Sequence, residues 1–329
     1  MFKKIYGCLL GGAIGDALGM PFTGLSRTEI TQYGAVHTFE MSRTTASLFL
    51  PIGAIADSEE GDLLEAGQWT DDTQLTLALA ETILEEGGLF IPEAWGHKLV
   101  RWLNEEPRGP GLSTLHAAIQ LRSAGVFWDE SAAPEGGGCG AATRVAPVAL
   151  LFHHSPELRR AHALTQALVT HGHVDAQAAA VAVCEAIAFV LPLNPGDFET
   201  WDGVAFLNSL ASEVENISPA FSNCLRVARN LLEDKVEPED AIRVLGTSAW
   251  SREAVPAALY LVAQNPNDFR KLLSNSLNLA SDATESIACI VGAIGGAMHG
   301  VDAIPEEWRL GVEDPARFQA LAERISNRH

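Results

Sequence analysis

Charge is sparse in this chain, and positive charge sparser still. Of 329 residues only 19% are charged, and 22 basic side chains stand against 42 acidic ones, a net charge of -20. A surface that acidic repels phosphate backbones and anionic lipid, which argues against general nucleic-acid binding and against membrane attachment. Cysteine is equally scarce. Cys8, Cys139, Cys184, Cys224 and Cys289 are odd in number and form no CxxC pair. A disulfide framework and a zinc knuckle are therefore not expected, and a reduced cytoplasmic setting is. No run of 18 uninterrupted apolar residues marks a membrane span. The N-terminal stretch MFKKIYGCLLGGAIGDALGM has a basic start and an apolar run, but Asp16 and the recurring Gly11, Gly12, Gly15 and Gly19 argue against a signal peptide.

Alternating strand patterns are rare, and helical spacing is common. A hydrophobic share of 47% is ample for a large core. Leu75, Leu79 and Ile83 recur every four residues, with Gly87-Gly88 as a stop. Further helices are expected over residues 94–104, 156–170, 175–191, 221–232, 255–262 and 287–298. The alanine content agrees, since alanine favours helix and is depleted in strands. Two stretches break the pattern. Residues 33–68 are rich in Gly, Pro, Ser and acids, and a loop that long is expected to form a lid or a site wall. Residues 132–140, AAPEGGGCG, are also irregular.

Glycine is placed with a period. Gly7, Gly11, Gly15 and Gly19 are four apart, as are Gly292, Gly296 and Gly300. On a helix each set makes a stripe without side chains. Each helical glycine costs about 1 kcal/mol relative to alanine. The stripes therefore imply close backbone approach, either of helix to helix or of helix to ligand.

The candidate chemistry begins at Gly67 to Leu84, GQWTDDTQLTLALAETIL. Thr70, Asp71, Asp72 and Thr73 put four oxygen-bearing side chains in a row at the start of an apolar helix. An N-cap followed by first-turn acids explains one or two of them. A hard cation such as Mg2+ explains the whole run, because it takes oxygen ligands and offsets the repulsion between the acids. A second oxygen cluster, Ser281, Asp282, Thr284, Glu285 and Ser286, opens another apolar helix, the one with the second glycine stripe. It too reads either as a cap or as half of a shared metal site. In GGGCGAATRVAP, Gly136 to Pro147, flexible glycines expose N–H groups ahead of a helix start, a pattern suited to anions. Arg144 there can assist an anion or pair with an acid in the core. His171 and His173 in VTHGH fit a structural role better than a zinc site. No GxSxG-like motif supports a serine triad, and no cysteine has a nucleophile's context.

Together these stretches resemble the ADP-ribosylglycohydrolase family. The matching pieces are GCLLGGAIGDALGMP, GQWTDDTQLTLALA, GCGAATRVAPVALLF, VTHGH, SLNLASDATESIACIVGAIGGAMHG and IPEEW, in family order across residues 7 to 308. The resemblance implies one domain over 1–329, an all-α orthogonal multi-helix bundle with a central metal cleft. It implies Mg2+-dependent hydrolysis of the bond from C1 of ADP-ribose to a modified protein or a small molecule. By the same resemblance Thr70, Asp71 and Asp72 are metal ligands. Asp282, Glu285 and Ser286 stand at the family's late D-x-D-[ST] motif, which completes the second metal site. Gly138, Cys139, Gly140 and Ala141, ahead of Arg144, correspond to the diphosphate loop. His171 corresponds to a position near the nucleotide; the family's suspected base, a glutamate, is replaced here by Thr23, which leaves Asp71 or Asp72 as the nearest candidate to take the water proton.

Three positions depart from the family pattern. Thr23 stands where a glutamate is usual near the second metal. The late motif carries Ala283, Glu285 and Ser286 in one alignment, and Asp282 takes the first acidic place in another. Cys139 and Thr143 replace an asparagine and a methionine. The expectation is a slow or substrate-shifted hydrolase with one tight and one weak Mg2+. The alternatives are action on another ribosyl or nucleotide compound, and a non-hydrolytic ADP-ribose-binding or crystallin-like protein.

Overall fold

The computed structural model describes residues 1–33, 38–40, 42–43, 63–123, 125–264 and 267–328. Most of the segment 33–68, expected to act as a lid or wall, lies outside the described residues. In chain order the helices are α1 (Phe2–Gly19), α2 (Arg27–Tyr33), α3 (Asp71–Glu85), α4 (Pro92–Leu103), α5 (Leu112–Leu121), α6 (Gly140–Thr143) and α7 (Ala146–Leu151). They continue with α8 (Pro156–Leu168), α9 (Val174–Val190), α10 (Gly203–Val214), α11 (Pro219–Glu233), α12 (Pro238–Leu245) and α13 (Ser251–Gln264). The last four are α14 (Phe269–Leu277), α15 (Thr284–His299), α16 (Glu306–Gly311) and α17 (Pro315–Ser326). The strands β1 (Ser42–Arg43) and β2 (Leu63–Leu64) form a two-residue antiparallel ladder pairing Ser42 with Leu64 and Arg43 with Leu63. Among the described residues the chain is thus helical apart from that ladder and two isolated bridges.

All seven helices read from spacing are present, within a few residues at each end. α3 starts where Thr70 takes an extended conformation and caps the Asp72 N–H, and it stops at Gly87 and Gly88, both at positive φ (69° and 87°). Its acids sit in the first turn, where the helix dipole favours them. The short amphipathic helices α5, α12 and α14 carry too few turns for their spacing to stand out in the sequence. Residues 132–139 are irregular, as expected, and are held by single bridges from Ala133 to His171 and from Gly138 to Trp250.

The centre of the fold is the antiparallel pair α1–α15. A Cβ on Gly7 would lie 2.5 Å from Gly296 O, and one on Gly19 would lie 2.6 Å from Glu285 Cα. On Gly11 it would overlap Gly292 O, and on Gly15 it would overlap Ala288 O. The facing stripe answers in kind, since Gly292 meets Gly11 O and Gly296 meets Gly7 O. Helix-to-helix packing therefore accounts for the glycine period. Gly300 does not belong to the stripe. It ends α15 at φ 79°, a conformation glycine adopts without strain. α1 is long and apolar enough to cross a membrane, yet it is almost wholly buried inside the fold. One hydrophobic cluster runs from Ile5 to Ile325, with the alanine-rich α9 buried along most of its length.

The α1–α15 register has a consequence at its open end. It carries Thr23, just past α1, to Glu285 in the first turn of α15. The N-terminus of α3 meets the same turn of α15, where the Ser286 hydroxyl donates to Asp72.

Candidate active site

The oxygen-rich start of α3 is organised by a buried acid in α1. Asp16, with no solvent exposure, accepts four hydrogen bonds. Thr70 gives its N–H (3.0 Å) and its hydroxyl (2.8 Å), and Thr73 gives its N–H (3.1 Å) and its hydroxyl (2.6 Å). Thr70 Oγ1 also accepts the Asp72 N–H at 3.3 Å, so this residue both caps α3 and faces the site. Its proton is committed to Asp16, which leaves the remaining oxygen lone pair available. A lone aspartate within a glycine-rich apolar helix was the signal for Asp16 in the sequence, and residue-by-residue reading of TDDT did not reach it.

Asp72 links three elements. Its Oδ1 accepts the Thr143 hydroxyl at 2.6 Å, from α6, and its Oδ2 accepts the Ser286 hydroxyl at 2.8 Å, from α15. Thr143 Oγ1 also lies 3.1 Å from Gly140 O, which ties the acid cluster to the glycine loop. Asp71, half-buried, accepts the Gly111 N–H at 3.1 Å, and its own N–H donates to Arg108 O at 2.8 Å. The segment around Arg108 is pinned in turn by the Arg108–Glu313 ion pair and by stacking of the guanidinium 4.9 Å from the Trp69 ring. Neither Arg108 nor Gly111 carries a motif, and only the fold brings them here.

At the start of α15 the two alignments of the late motif part company. Glu285 accepts a short hydrogen bond from the Thr23 hydroxyl and lies beside the Ser286 hydroxyl at 3.4 Å. The Glu285 N–H returns to Thr23 Oγ1 at 3.3 Å. Asp282 is exposed and makes no hydrogen bond to the cluster. Ser281 does not cap α15 through Glu285. It accepts the Ala283 N–H at 2.9 Å and donates to Thr247 O, and Ala283, the N-cap residue, provides no side-chain cap.

The cluster is electrostatically unbalanced. Burial, then the charge of Asp72, raises the Glu285 carboxyl to about 7. The same causes, in the same order, raise Asp71 well above the carboxylate range. Burial raises Asp72 against the Thr143 and Ser286 hydrogen bonds. Asp16 is pushed up by burial and by Asp72, against its four hydrogen bonds. The buried cation nearby, Arg144, is engaged elsewhere. Its Nε donates to Gln166 Oε1 at 2.9 Å, and its Nη2 donates to Gln166 O at 3.1 Å and to Thr170 Oγ1 at 2.6 Å. Among the described residues, no three Asp, Glu, His or Cys side chains converge on a complete metal cage. Carboxylates that repel one another, interleaved with the Thr70 and Ser286 hydroxyls, are nevertheless a donor set suited to a hard divalent cation.

The glycine loop borders this cluster. Gly137 is closed off by Trp250, whose ring would meet any Cβ there. Gly138 and Gly140 have room, because the nearest atoms to an added Cβ lie 3.7 Å and 3.8 Å away. The Cys139 N–H is spent on Ala249 O at 2.9 Å, so the loop does not offer that amide to a ligand. Burial pushes the Cys139 thiol far up, which keeps it protonated. Ala141 is buried at the start of α6. The two histidines separate. His173 caps α9, accepting the Asp175 N–H at 3.2 Å, whereas His171 is buried with Nε2 towards Gly138 and Gly140.

Among the described residues the fold is helical and sets a buried carboxylate–hydroxyl cluster beside the glycine loop. Comparison with known proteins gives the family. A sequence profile described as ADP-ribosylglycohydrolase matches residues 1–329, and the chain belongs to that family. It is 37% identical to an uncharacterized protein of Archaeoglobus fulgidus, covering 100% of this chain and 98% of that one. It is 29% identical to the ADP-ribosylarginine hydrolase Tri1 of Pseudomonas putida, covering 98% of this chain and 77% of Tri1. It is 25% identical to the ADP-ribosylhydrolase ARH3 of Danio rerio, over 99% and 90% of the two chains. A solved structure titled ADP-ribosylglycohydrolase-related protein complex superposes with a TM-score of 0.74 at 24% identity, covering 99% of this chain and 98% of that one, and supports the fold.

Proposed function

We propose that this protein is a Mg2+-dependent hydrolase that cleaves the C1 glycosidic bond of ADP-ribose attached to a protein or a small molecule. Family membership assigns the chain to the glycosidic-bond hydrolases. The names of the Tri1 and ARH3 relatives support ADP-ribose as the sugar nucleotide. The observation that carries the reading is the junction at Asp72, where the starts of α3 and α15 meet the helix of the glycine loop through Thr143 and Ser286. That junction ties the acids to the Gly138–Gly140 loop, where an added Cβ would meet nothing nearer than 3.7 Å.

Thr70, Asp71, Asp72, Glu285 and Ser286 would hold Mg2+, which when bound supplies positive charge for the ribose hydroxyls and the attacking water. Each remaining role falls to the protein. Asp16 fixes Thr70 and Thr73, and so fixes the start of α3. Asp71, only partly buried at the mouth of the cluster, is suited to take a proton from water as the water oxygen bonds to C1. The C1–acceptor bond breaks, and the acceptor leaves with a proton. The loop from Gly138 to Ala141 receives the diphosphate, which a chain of net charge -20 would otherwise repel. Thr23 supplies a hydroxyl in place of a carboxylate and holds Glu285, so the second cation position has less charge.

Incubation of ADP-ribosyl-arginine and ADP-ribosyl-serine peptides with and without Mg2+ tests the reading. Free ADP-ribose, formed only with Mg2+, is the expected product. AMP in its place would move the cleavage to phosphorus and overturn it. Thr23 also favours a second reading, ADP-ribose binding without hydrolysis. Retention of labelled ADP-ribose with no turnover on any substrate would establish that one.

A further inference from the structure

Arg144 is completely buried, with its Nε and Nη2 bonded as above, its Nη1 3.4 Å from Thr114 Oγ1 and its guanidinium 5.3 Å from the Trp95 ring. It has no path to a ligand in the cleft. A guanidinium only donates. Thr170 Oγ1 therefore accepts from Arg144, and its own proton goes to another acceptor. Two are within reach: His171 Nδ1 at 2.7 Å and Ala167 O at 3.4 Å. Ala167 O already accepts the Thr170 N–H at 3.0 Å and the His171 N–H at 2.8 Å. The hydroxyl proton is thus given to Nδ1. A neutral imidazole that accepts at Nδ1 carries its proton on Nε2. Burial, and secondarily the charge of Arg144, hold the His171 pKa down at about 3, so the ring is neutral at physiological pH. A Cβ built on Gly138 or on Gly140 would lie 3.8 Å from His171 Nε2, so this nitrogen looks onto the open part of the loop.

We infer that Arg144 is a positioning residue: through Thr170 it locks His171 as the Nε2–H tautomer, and that N–H is a neutral donor to the phosphate oxygens at the Gly138–Gly140 loop. The identity of the ligand rests on the function proposed above, whereas the tautomer does not. The arrangement divides the labour between charge and contact. The guanidinium stays out of the cleft and sets the direction of a hydrogen bond, and the imidazole presents it.

Long-range proton–nitrogen correlation spectra of the full chain, labelled with nitrogen-15 histidine, read the tautomer without any ligand, and His171→Asn assigns the signal. The parent should show a protonated Nε2 and a bare Nδ1. Thr170→Val removes the relay with little change in volume and should populate the Nδ1–H form, while Thr170→Ser should keep the parent pattern. ADP-ribose affinity, measured by calorimetry, should fall about tenfold in the valine variant and recover in the serine variant, the worth of one hydrogen bond at the upper end. A proton on Nδ1 in the parent, or a parent-like spectrum in Thr170→Val, overturns the lock. Unchanged ADP-ribose affinity in a Thr170→Val protein of altered tautomer overturns the donor role. A parent with the Nε2–H signature that binds no ADP-ribose upholds the lock and overturns the nucleotide reading.

Discussion

Along the α1–α15 seam, glycines stand where no Cβ fits; in the loop from Gly138 to Gly140, they stand where a Cβ has space. The seam glycines meet backbone oxygens on the facing helix, and the two stripes interlock. The loop glycines meet nothing nearer than 3.7 Å. The same residue type therefore does two jobs. In the seam it sets a distance between helices, and with it the register that brings Thr23 to Glu285. In the loop it leaves a space that the fold does not use. The first region is packed backbone against backbone. The second, with the mutually repelling acids beside it, is the kind of place where a protein gives up stability for a ligand.

This contrast can be broken first at the seam. Gly292→Ala drives a methyl into Gly11 O, and because the obstacle is backbone on a packed helix it cannot swing aside. Such overpacking costs about 3 kcal/mol or more at a site that cannot relax. A Tm lower by about 4 °C or more, or loss of soluble protein, is expected in thermal unfolding. A shift of about 2 °C or less would mean the helices slide apart easily and the seam is not rigid.

In the cleft the expectation reverses. Asp71→Ala with Asp72→Ala removes two acids that repel each other, so the protein should stay folded. What should vanish is its response to Mg2+, which in the parent reaches about 2.7 kcal/mol of stabilisation at one hundred times Kd. Equal Mg2+-induced Tm gains in parent and double variant would place the cation elsewhere.

Gly140→Val fills loop space without meeting backbone. Its Tm should stay within about 2 °C of the parent, while ADP-ribose affinity drops about tenfold or more, or about 1.4 kcal/mol. Calorimetry giving parental affinity in the folded variant would remove the diphosphate from this loop. Thr23→Glu is a smaller change. It returns a carboxylate beside Glu285, should tighten a second Mg2+ in titrations, and should raise turnover on ADP-ribosylated substrates by part of the about 10²- to 10⁴-fold that a general base is worth. If turnover is already high in the parent and falls in the variant, the pocket is shaped around threonine for another substrate. Cys139→Ser should change least. The thiol is buried and protonated, so activity within about twofold of the parent is expected, and a collapse to background would make the sulfur a participant.

The helices were legible because their signals are local. Leu75, Leu79 and Ile83 mark α3 by spacing, Gly87 and Gly88 mark its end, and the alanines of residues 175–191 mark α9. The cluster at the start of α3 was also visible as four consecutive oxygen-bearing side chains. Its partners were visible only in part. The sequence offered two registers for the late motif, and both cannot face the site, because residues 282 and 285 point in different directions around the start of a helix. Asp16 went unread for a different reason. Its meaning lies in Thr70 and Thr73, 54 and 57 positions away, and no local spacing expresses that. Arg144 was legible as a buried or anion-assisting cation, and its hydrogen bonds to Gln166 and Thr170 belong to the fold alone.

What the sequence determined by itself is the helical class, the two glycine stripes and the acids at two helix starts, since each follows from side-chain periodicity and capping within a single segment. The tertiary structure decided what those features are for. It chose helix packing over ligand approach for the stripes, put Glu285 rather than Asp282 beside Thr23 and Ser286, and gave Arg144 buried partners in Gln166 and Thr170. Each decision depends on a neighbour distant in the chain, and burial leaves no water to stand in for a missing partner, so the partner found in the fold sets the role.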